Sequence, residues 1–154
     1  MSYCGKCSCG KVRYRLNSRP IVTHACHCRQ CQRLTGSAFV MNAVIEQAAV
    51  ELLSGVPAAV HFDGTSHTAY FCTECGTYVW SAYTGRFDGC WFVRVGTLDD
   101  PDEFAPEAHI FLGTKQPWLP VPESLPQFQG GYELQELLSR DGLDRLKAAN
   151  LAAS

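Results

Sequence analysis

The feature that most constrains this chain is the grouping of its cysteines. Nine cysteines occur in 154 residues, and eight of them fall into three short clusters: Cys4, Cys7 and Cys9; Cys26, Cys28 and Cys31; Cys72 and Cys75. Spacings of the C-x-C and C-x-x-C type are too short for ordinary structural disulfides. The odd count and the absence of an apolar leader in "MSYCGKCSCG" also argue against a secreted disulfide scaffold. The pattern therefore favours metal binding in a reducing compartment.

The composition is that of a globular protein of one domain. Hydrophobic residues make up 46% of the chain and charged residues 18%, with a formal net charge of −2. This charge provides no basic surface for nucleic acid, and no apolar run approaches the ~18 residues of a membrane span. We therefore expect a soluble, cytoplasmic protein with neither a nucleic-acid nor a membrane partner. The oligomeric state is left open.

Short β-strands dominate the pattern along the chain. Residues 11–16 alternate strictly, with Val12, Tyr14 and Leu16 on one face and basic residues on the other, as in a half-buried strand. Further short runs, rich in aromatic and β-branched residues, are also typical of strands. These runs are 20–26, 38–45, 49–55, 58–62, 68–72, 77–83, 90–98 and 108–113. The spacing predicts a sandwich-like or open-barrel β core.

Helical patterns are few and short. Residues 29–36 predict one or two helical turns ended by Gly36, and residues 117–128, with four prolines, predict an extended surface segment. Leucines recur at helical spacing over 132–149, with a break expected near Gly142.

We expect two units along the chain. Residues 1–130 would form a zinc-binding domain, and residues 131–154 a helical extension packed on or beside it.

The run "CTECG" (72–76) has the form of a zinc knuckle. Its two cysteines point their sulfurs at one metal, and the glycine permits the tight turn that brings backbone N–H groups to the thiolates. Two sulfurs are half of a closed tetrahedral site, so a second pair is needed.

The N-terminal cluster supplies that pair. Cys7 and Cys9 are followed by Gly10 in the same manner, and we favour them as the remaining ligands. Cys4 in place of Cys7 is the alternative, because both spacings occur there. Four thiolates would form a structural zinc site.

The middle cluster then has three sulfurs, from Cys26, Cys28 and Cys31. Three protein ligands and one exchangeable position are the usual form of a catalytic zinc site. Closure of the site by His27, Cys4 or a distant histidine is the alternative. Three thiolates soften the metal as a Lewis acid, which suits binding of an incoming thiol better than hydrolysis.

Two further residues stand apart from these clusters. Cys90 lies in an apolar strand and is interpreted as a buried hydrophobic residue. His109 lies in the proline-bounded run "PEAHIF", where a neutral imidazole near an open zinc could act as acid, base or hydrogen-bond donor.

Taken together, these pieces resemble the GFA family, the glutathione-dependent formaldehyde-activating or centromere protein V/GFA proteins. The resemblance rests on "CSCGKVRY", "CHCRQCQRLTGSAF", "FCTECGT", "VGTLDD" and "PEAHIFLGTKQPWL", in the family's order. These pieces cover most of residues 5–120. Cys4 and the leucine-rich segment after Tyr132 lie outside the pattern.

The resemblance implies a fold, two zinc ions and a reaction. The fold is mainly β, a zinc-bearing Mss4-like arrangement of stacked short antiparallel sheets with short helices. The ligands would be Cys7, Cys9, Cys72 and Cys75 for a structural zinc, and Cys26, Cys28 and Cys31 for a second, catalytic zinc. The family is classed among carbon–sulfur lyases and named for condensing glutathione with formaldehyde to S-hydroxymethylglutathione.

The resemblance also suggests residues for the substrate. Candidate partners of the glutathione carboxylates are Arg29, Arg33 and Lys115, and candidate pocket aromatics are Phe39, Phe111 and Trp118. The expected partners are a small thiol such as glutathione and a small carbonyl compound. A glutathione or adduct carrier without turnover, and an interaction domain in which both zincs serve the fold, are the alternative functions.

Overall fold

The computed structural model describes residues 1–154, which form a mainly β fold with two sheets, as predicted. The strands are β1 (Tyr3–Lys6), β2 (Arg13–Leu16), β3 (Val22–Cys26), β4 (Val40–Glu46), β5 (Val50–Ser54), β6 (Ala58–His61), β7 (His67–Phe71), β8 (Tyr78–Tyr83), β9 (Cys90–Arg94) and β10 (Ala108–Ile110). The helices are α1 (Arg29–Thr35), α2 (Leu134–Leu137) and α3 (Arg140–Ala153).

The strands divide into a small and a large sheet. The small sheet has the order β1-β2-β5, and the large one the order β10-β3-β4-β9-β8-β7-β6. Every pair is antiparallel except β10 with β3, which is parallel. The parallel pair places Ile110 beside Cys26, at the beginning of the second cysteine cluster.

The core lies on both faces of the large sheet. Successive side chains of a strand point to opposite faces, so Val44 belongs to one hydrophobic cluster and Ala43 to the other. The inward residues predicted for β2 are fully buried, and Tyr14 packs edge-on against Trp80 with ring centroids 5.5 Å apart. This contact joins the small sheet to the large one.

Some predicted elements differ from the structure. The strand β1 was not expected, because "YCGK" carries too few apolar residues to predict a strand. The expected strand 90–98 ends at Arg94 and is followed by a 3₁₀ turn, Val95–Thr97.

The predicted break at Gly142 is wrong in position. The helices separate at Leu138 and Ser139, and the Ser139 Oγ accepts a hydrogen bond from the Gly142 N–H at 3.1 Å. Gly142 therefore lies in the first turn of α3, where it packs closely against Ile21. A serine N-cap explains why the helix begins there.

The C-terminal segment packs onto the large sheet. Leu146 and Ala149 of α3 belong to the same hydrophobic cluster as Cys26 and Phe92. Arg145 also donates to both carboxylate oxygens of Glu46, each at 2.7 Å. None of the helices has the length and the apolar character needed to cross a bilayer.

Candidate metal centres and the cavity beside them

The first cysteine cluster consists of Cys7, Cys9, Cys72 and Cys75, whose sulfurs all lie within 4.8 Å of one another. The Sγ atoms of Cys7 and Cys9 are 3.5 Å apart, and those of Cys9 and Cys72 are 3.8 Å apart. Sulfurs bound to one tetrahedral zinc at about 2.3 Å lie about 3.8 Å apart. The cluster therefore could hold such an ion, and its members are the four residues favoured from the spacing.

Local turns position these sulfurs. Gly10 and Gly76 have φ angles of 74° and 70°, in the left-handed region, and each N–H donates to the carbonyl of a cysteine, Cys7 and Cys72 respectively. Thr77, beside Cys75, links the two halves of the site, because its Oγ1 accepts a hydrogen bond from the N–H of Ser8 at 3.1 Å. Its side-chain and backbone hydrogen bonds to Cys75 lower the pKa of that thiol to about 5. Both knuckles thus have the glycine turn that the sequence predicts.

The second cluster consists of Cys26, Cys28 and Cys31. Cys26 ends β3, Cys28 is the N-cap of α1, and Cys31 lies in its first turn, with 3.5 Å between the sulfurs of Cys26 and Cys31. This spacing also fits a shared metal ion. Hydrogen bonds with Cys26 and Cys31 lower the pKa of Cys28 to about 2 and favour its thiolate.

The backbone between these cysteines is held by two side chains. The His27 carbonyl accepts hydrogen bonds from Gln32 Nε2 at 2.7 Å and from Thr114 Oγ1 at 3.1 Å, while the His27 N–H donates to Ile110. These hydrogen bonds hold the backbone between β3 and α1, and so fix the relative positions of the three cysteines.

No fourth ligand closes the second cluster. His27 points to the opposite face of the sheet, where its Nε2 is 3.0 Å from His109 Nδ1. Cys4 lies in β1 of the small sheet. No other histidine, cysteine or carboxylate belongs to the group.

The second cluster borders a cavity of about 760 Å³, which we call the cysteine cavity. Cys26 and Cys28 lie in its wall, and the remaining wall combines aromatic and polar residues. Its lining includes Phe62, Tyr83, Phe87, Phe92, Phe111 and Tyr132, together with the polar residues His24, Asn42, His67 and Arg86. The first cluster does not line this cavity, which gives the two clusters different surroundings.

Comparison with known families agrees with the cysteine pattern. The sequence model of the GFA family, described as glutathione-dependent formaldehyde-activating enzyme, matches residues 2–114.

The chain belongs to this family.

Relatives with curated names are distant. Two fungal proteins are provisionally named as glutathione-dependent formaldehyde-activating enzymes. The Emericella nidulans protein is 29% identical to this chain over 96 residues, and the Penicillium rubens protein is 26% identical over 126 residues. These matches cover 60% and 80% of this chain but 48% and 56% of those proteins. The chain therefore spans about half the length of the curated relatives it matches. A crystal structure of a Rhodobacter sphaeroides protein superimposes with a TM-score of 0.48 at 20% identity, covering 62% of this chain and 87% of that one.

Most substrate residues expected from the GFA resemblance lie outside the cysteine cavity. Arg29 and Arg33 share one face of α1 and, with Trp118, line a separate shallow groove of about 610 Å³. The Lys115 ammonium donates to the carbonyls of Gln116 and Leu119 at 2.9 and 2.6 Å. Of the aromatics, only Phe111 lines the cavity.

His109 also lies away from the second cluster. It alternates with Ile110 along β10, so it points to the face opposite Cys26, where it lines a third cavity with His27 and Phe39. Burial lowers the pKa of His109, which keeps the imidazole neutral. The expected neutral imidazole is thus present, but not beside the second cluster.

The structure adds a buried arginine that the sequence did not indicate. Arg94 is 4% exposed and forms no ion pair with a carboxylate. It donates to Asn42 Oδ1, Tyr78 Oη and Ser81 Oγ, the last at 2.6 Å. Burial lowers its pKa to about 10, and the negative charges of the second cysteine cluster oppose that shift. A cation therefore lies behind Asn42, one of the residues that line the cysteine cavity.

Proposed function

We propose that this protein is a zinc-dependent carbon–sulfur lyase that joins a small thiol such as glutathione to a small carbonyl compound such as formaldehyde. The observation that carries the proposal is the cluster of three cysteines that opens onto a cavity and has no fourth protein ligand. Membership of the GFA family supports the same reaction. Two zinc ions per chain are proposed, one at each cysteine cluster, in the reducing environment of the cytoplasm.

The donor set of the second cluster suits sulfur chemistry. A zinc ion held by Cys26, Cys28 and Cys31 would supply a soft Lewis acid that favours the thiolate form of a bound thiol. In the addition, the thiolate sulfur bonds to the carbonyl carbon, and the π electron pair of the carbonyl moves to oxygen. The thiol loses one proton and the oxygen gains one, so the reaction needs neither oxidant nor reductant.

The cavity walls suit the rest of the substrate. Aromatic residues cover the reacting atoms and limit the access of water, which strengthens the electrostatic interactions inside. Arg86 is an exposed cation at the cavity, with its guanidinium 5.7 Å from the ring centre of Tyr132. We therefore assign to Arg86, rather than to Arg29, Arg33 or Lys115, the contact with a glutathione carboxylate.

The test compares turnover in the wild-type protein and in Cys28→Ser. We expect formation of S-hydroxymethylglutathione faster than the uncatalysed condensation, and a loss of at least about 100-fold in the variant because a metal ligand is missing. Metal analysis should give two zinc ions in the wild type and one in Cys28→Ser.

Three results would contradict this account. Two zinc ions in Cys28→Ser would refute the ligand assignment. Glutathione binding without acceleration would indicate the carrier function instead. Absence of both binding and acceleration would leave the interaction domain.

A further inference from the structure

Two residues that line the cysteine cavity each have a buried hydrogen-bonding atom with no partner in the chain. Tyr132 is 3% exposed and its hydroxyl is unpaired, while His24 is 1% exposed and its Nδ1 is unpaired. Both residues line the cavity that contains Cys26, and their rings lie 5.8 Å apart at an angle of 65°. An unpaired buried polar group lowers the stability of the folded state, so a ligand that hydrogen-bonds to both groups would remove this penalty.

The neighbours of His24 fix which ring nitrogen carries the proton. The Arg94 guanidinium has only donors, so the Asn42 atom that it contacts is the side-chain oxygen. The Asn42 amide nitrogen then faces His24 Nε2 at 3.3 Å and donates to it. Because Nε2 accepts, the proton of the neutral imidazole lies on Nδ1. The unpaired atom of His24 is therefore an N–H donor.

Tyr132 supplies a second donor from a different part of the chain. Its ring is held by contacts with Phe128 and Phe87, at centroid distances of 5.8 and 6.5 Å, which leave the hydroxyl without an acceptor. The residue lies beyond the family match, which ends at residue 114. The C-terminal segment thus contributes Tyr132 to the cavity wall.

We propose that His24 Nδ1–H and the Tyr132 hydroxyl bind the oxygen of the carbonyl substrate and of its thiol adduct. This inference rests on the proposed function and names the part of the site that receives the electrophile. As the carbonyl carbon accepts the sulfur, the electron pair displaced from the C=O bond collects on this oxygen. Two preorganised donors at that atom stabilise the developing charge. Arg94 and Asn42 act as positioning residues, because they determine the tautomer of His24.

The first test reads the tautomer directly. Zinc-loaded protein labelled with ¹⁵N in its histidine rings is examined by NMR, and the His24 signals are assigned by their absence in His24→Gln. We expect a protonated Nδ1 and an unprotonated Nε2. A proton on Nε2 would overturn the assignment of His24 as a donor to the cavity.

The second test separates binding of the oxygen from binding of the thiol. Calorimetric affinities are measured for glutathione alone and for glutathione premixed with formaldehyde, in the wild type, in Tyr132→Phe and in the control Tyr14→Phe. Tyr14 loses a hydroxyl that bonds Thr97 in the other hydrophobic cluster. We expect Tyr132→Phe to bind glutathione within about twofold of the wild type and the adduct about tenfold more weakly. Its melting temperature should not fall, since the lost hydroxyl has no partner.

The outcomes distinguish the two proposals. Equal binding of the adduct by the wild type and Tyr132→Phe would overturn the oxygen site and leave the thiol function intact. Equal weakening of glutathione and adduct would also overturn it, because the hydroxyl would then contact the thiol part. Failure of the wild type to bind glutathione would overturn the proposed function and this inference together.

Discussion

At the scale of single residues, the charge of the second cluster is balanced by an unusual partner. Three thiolates with the proposed Zn²⁺ would leave a net charge of −1, and Arg94 is the buried cation on the same face of the large sheet. Asn42 and His24 continue the row from Arg94 toward β3, where Cys26 ends the strand. With a pKa lowered by burial to about 10, Arg94 is still charged at neutral pH, and the negative charge of the cluster opposes the effect of burial.

This pairing makes a prediction for two substitutions at Arg94. Arg94→Gln removes the charge and should weaken zinc binding at the second cluster at least about tenfold, since a buried counter-charge is lost. Arg94→Lys keeps the charge but loses the forked donors, so it should retain more of the affinity. Competition with a chromogenic chelator measures both. Equal affinity in Arg94→Gln and the wild type would show that the charges are not coupled.

The sequence was sufficient to predict how the cysteines group but not to predict the cavity. The grouping depends on local spacing and on glycine turns such as those at Gly10 and Gly76, which are visible in the sequence. The row of His24, Asn42 and Arg94 depends on which strands are neighbours in the sheet, and alternation alone does not determine strand order. That Arg29 and Arg33 line a separate groove could not be predicted either, because the rotation of a short helix about its axis is set by tertiary packing.

At the scale of elements, α3 packs closely on the loop before β9. The helix approaches the loop before β9 so closely that a Cβ on Gly89 would lie 2.4 Å from the Ala149 carbonyl oxygen. Gly89 also has a φ of 73°, which disfavours any other residue. Close backbone contact at this point therefore holds α3 against the large sheet.

A pair of glycine substitutions isolates this contact. Gly64 has the same φ of 73°, but a Cβ added there would meet no other atom within 4 Å. Gly64→Ala should therefore lower the free energy of unfolding by only about 1 kcal/mol, from backbone strain. Gly89→Ala should cost about 1–3 kcal/mol more, because α3 must shift. Urea unfolding of both variants provides the comparison, and equal losses would mean that α3 does not pack closely on this loop.

At the scale of the whole molecule, the first cysteine cluster joins the two sheets. Cys7 and Cys9 follow β1 of the small sheet, whereas Cys72 and Cys75 lie between β7 and β8 of the large one. The two pairs are far apart in sequence, so a metal ion bound only by the folded site would close a long loop and stabilise the fold. The second cluster is local, so we expect a metal ion there to contribute less to overall stability.

Cysteine substitutions test this division. Cys72→Ser should lower the free energy of unfolding by at least about 3 kcal/mol, or the melting temperature by about 10 °C. Cys4→Ser is the matched control, because Cys4 is exposed and lies outside both clusters. Thermal unfolding of the two variants measures the difference. A Cys72→Ser protein as stable as Cys4→Ser would refute a structural metal site.

The central claim is that the second cluster binds a thiol, and cobalt tests it most directly. Zn²⁺ has no visible spectrum, whereas Co²⁺ in the same site reports its coordination through visible and sulfur charge-transfer bands. Glutathione is titrated into protein whose second site holds Co²⁺, with Cys31→Ser as the control. We predict a saturable spectral change that is absent from the control. An unchanged spectrum in the wild-type protein would contradict the account, because the site would then be closed to glutathione.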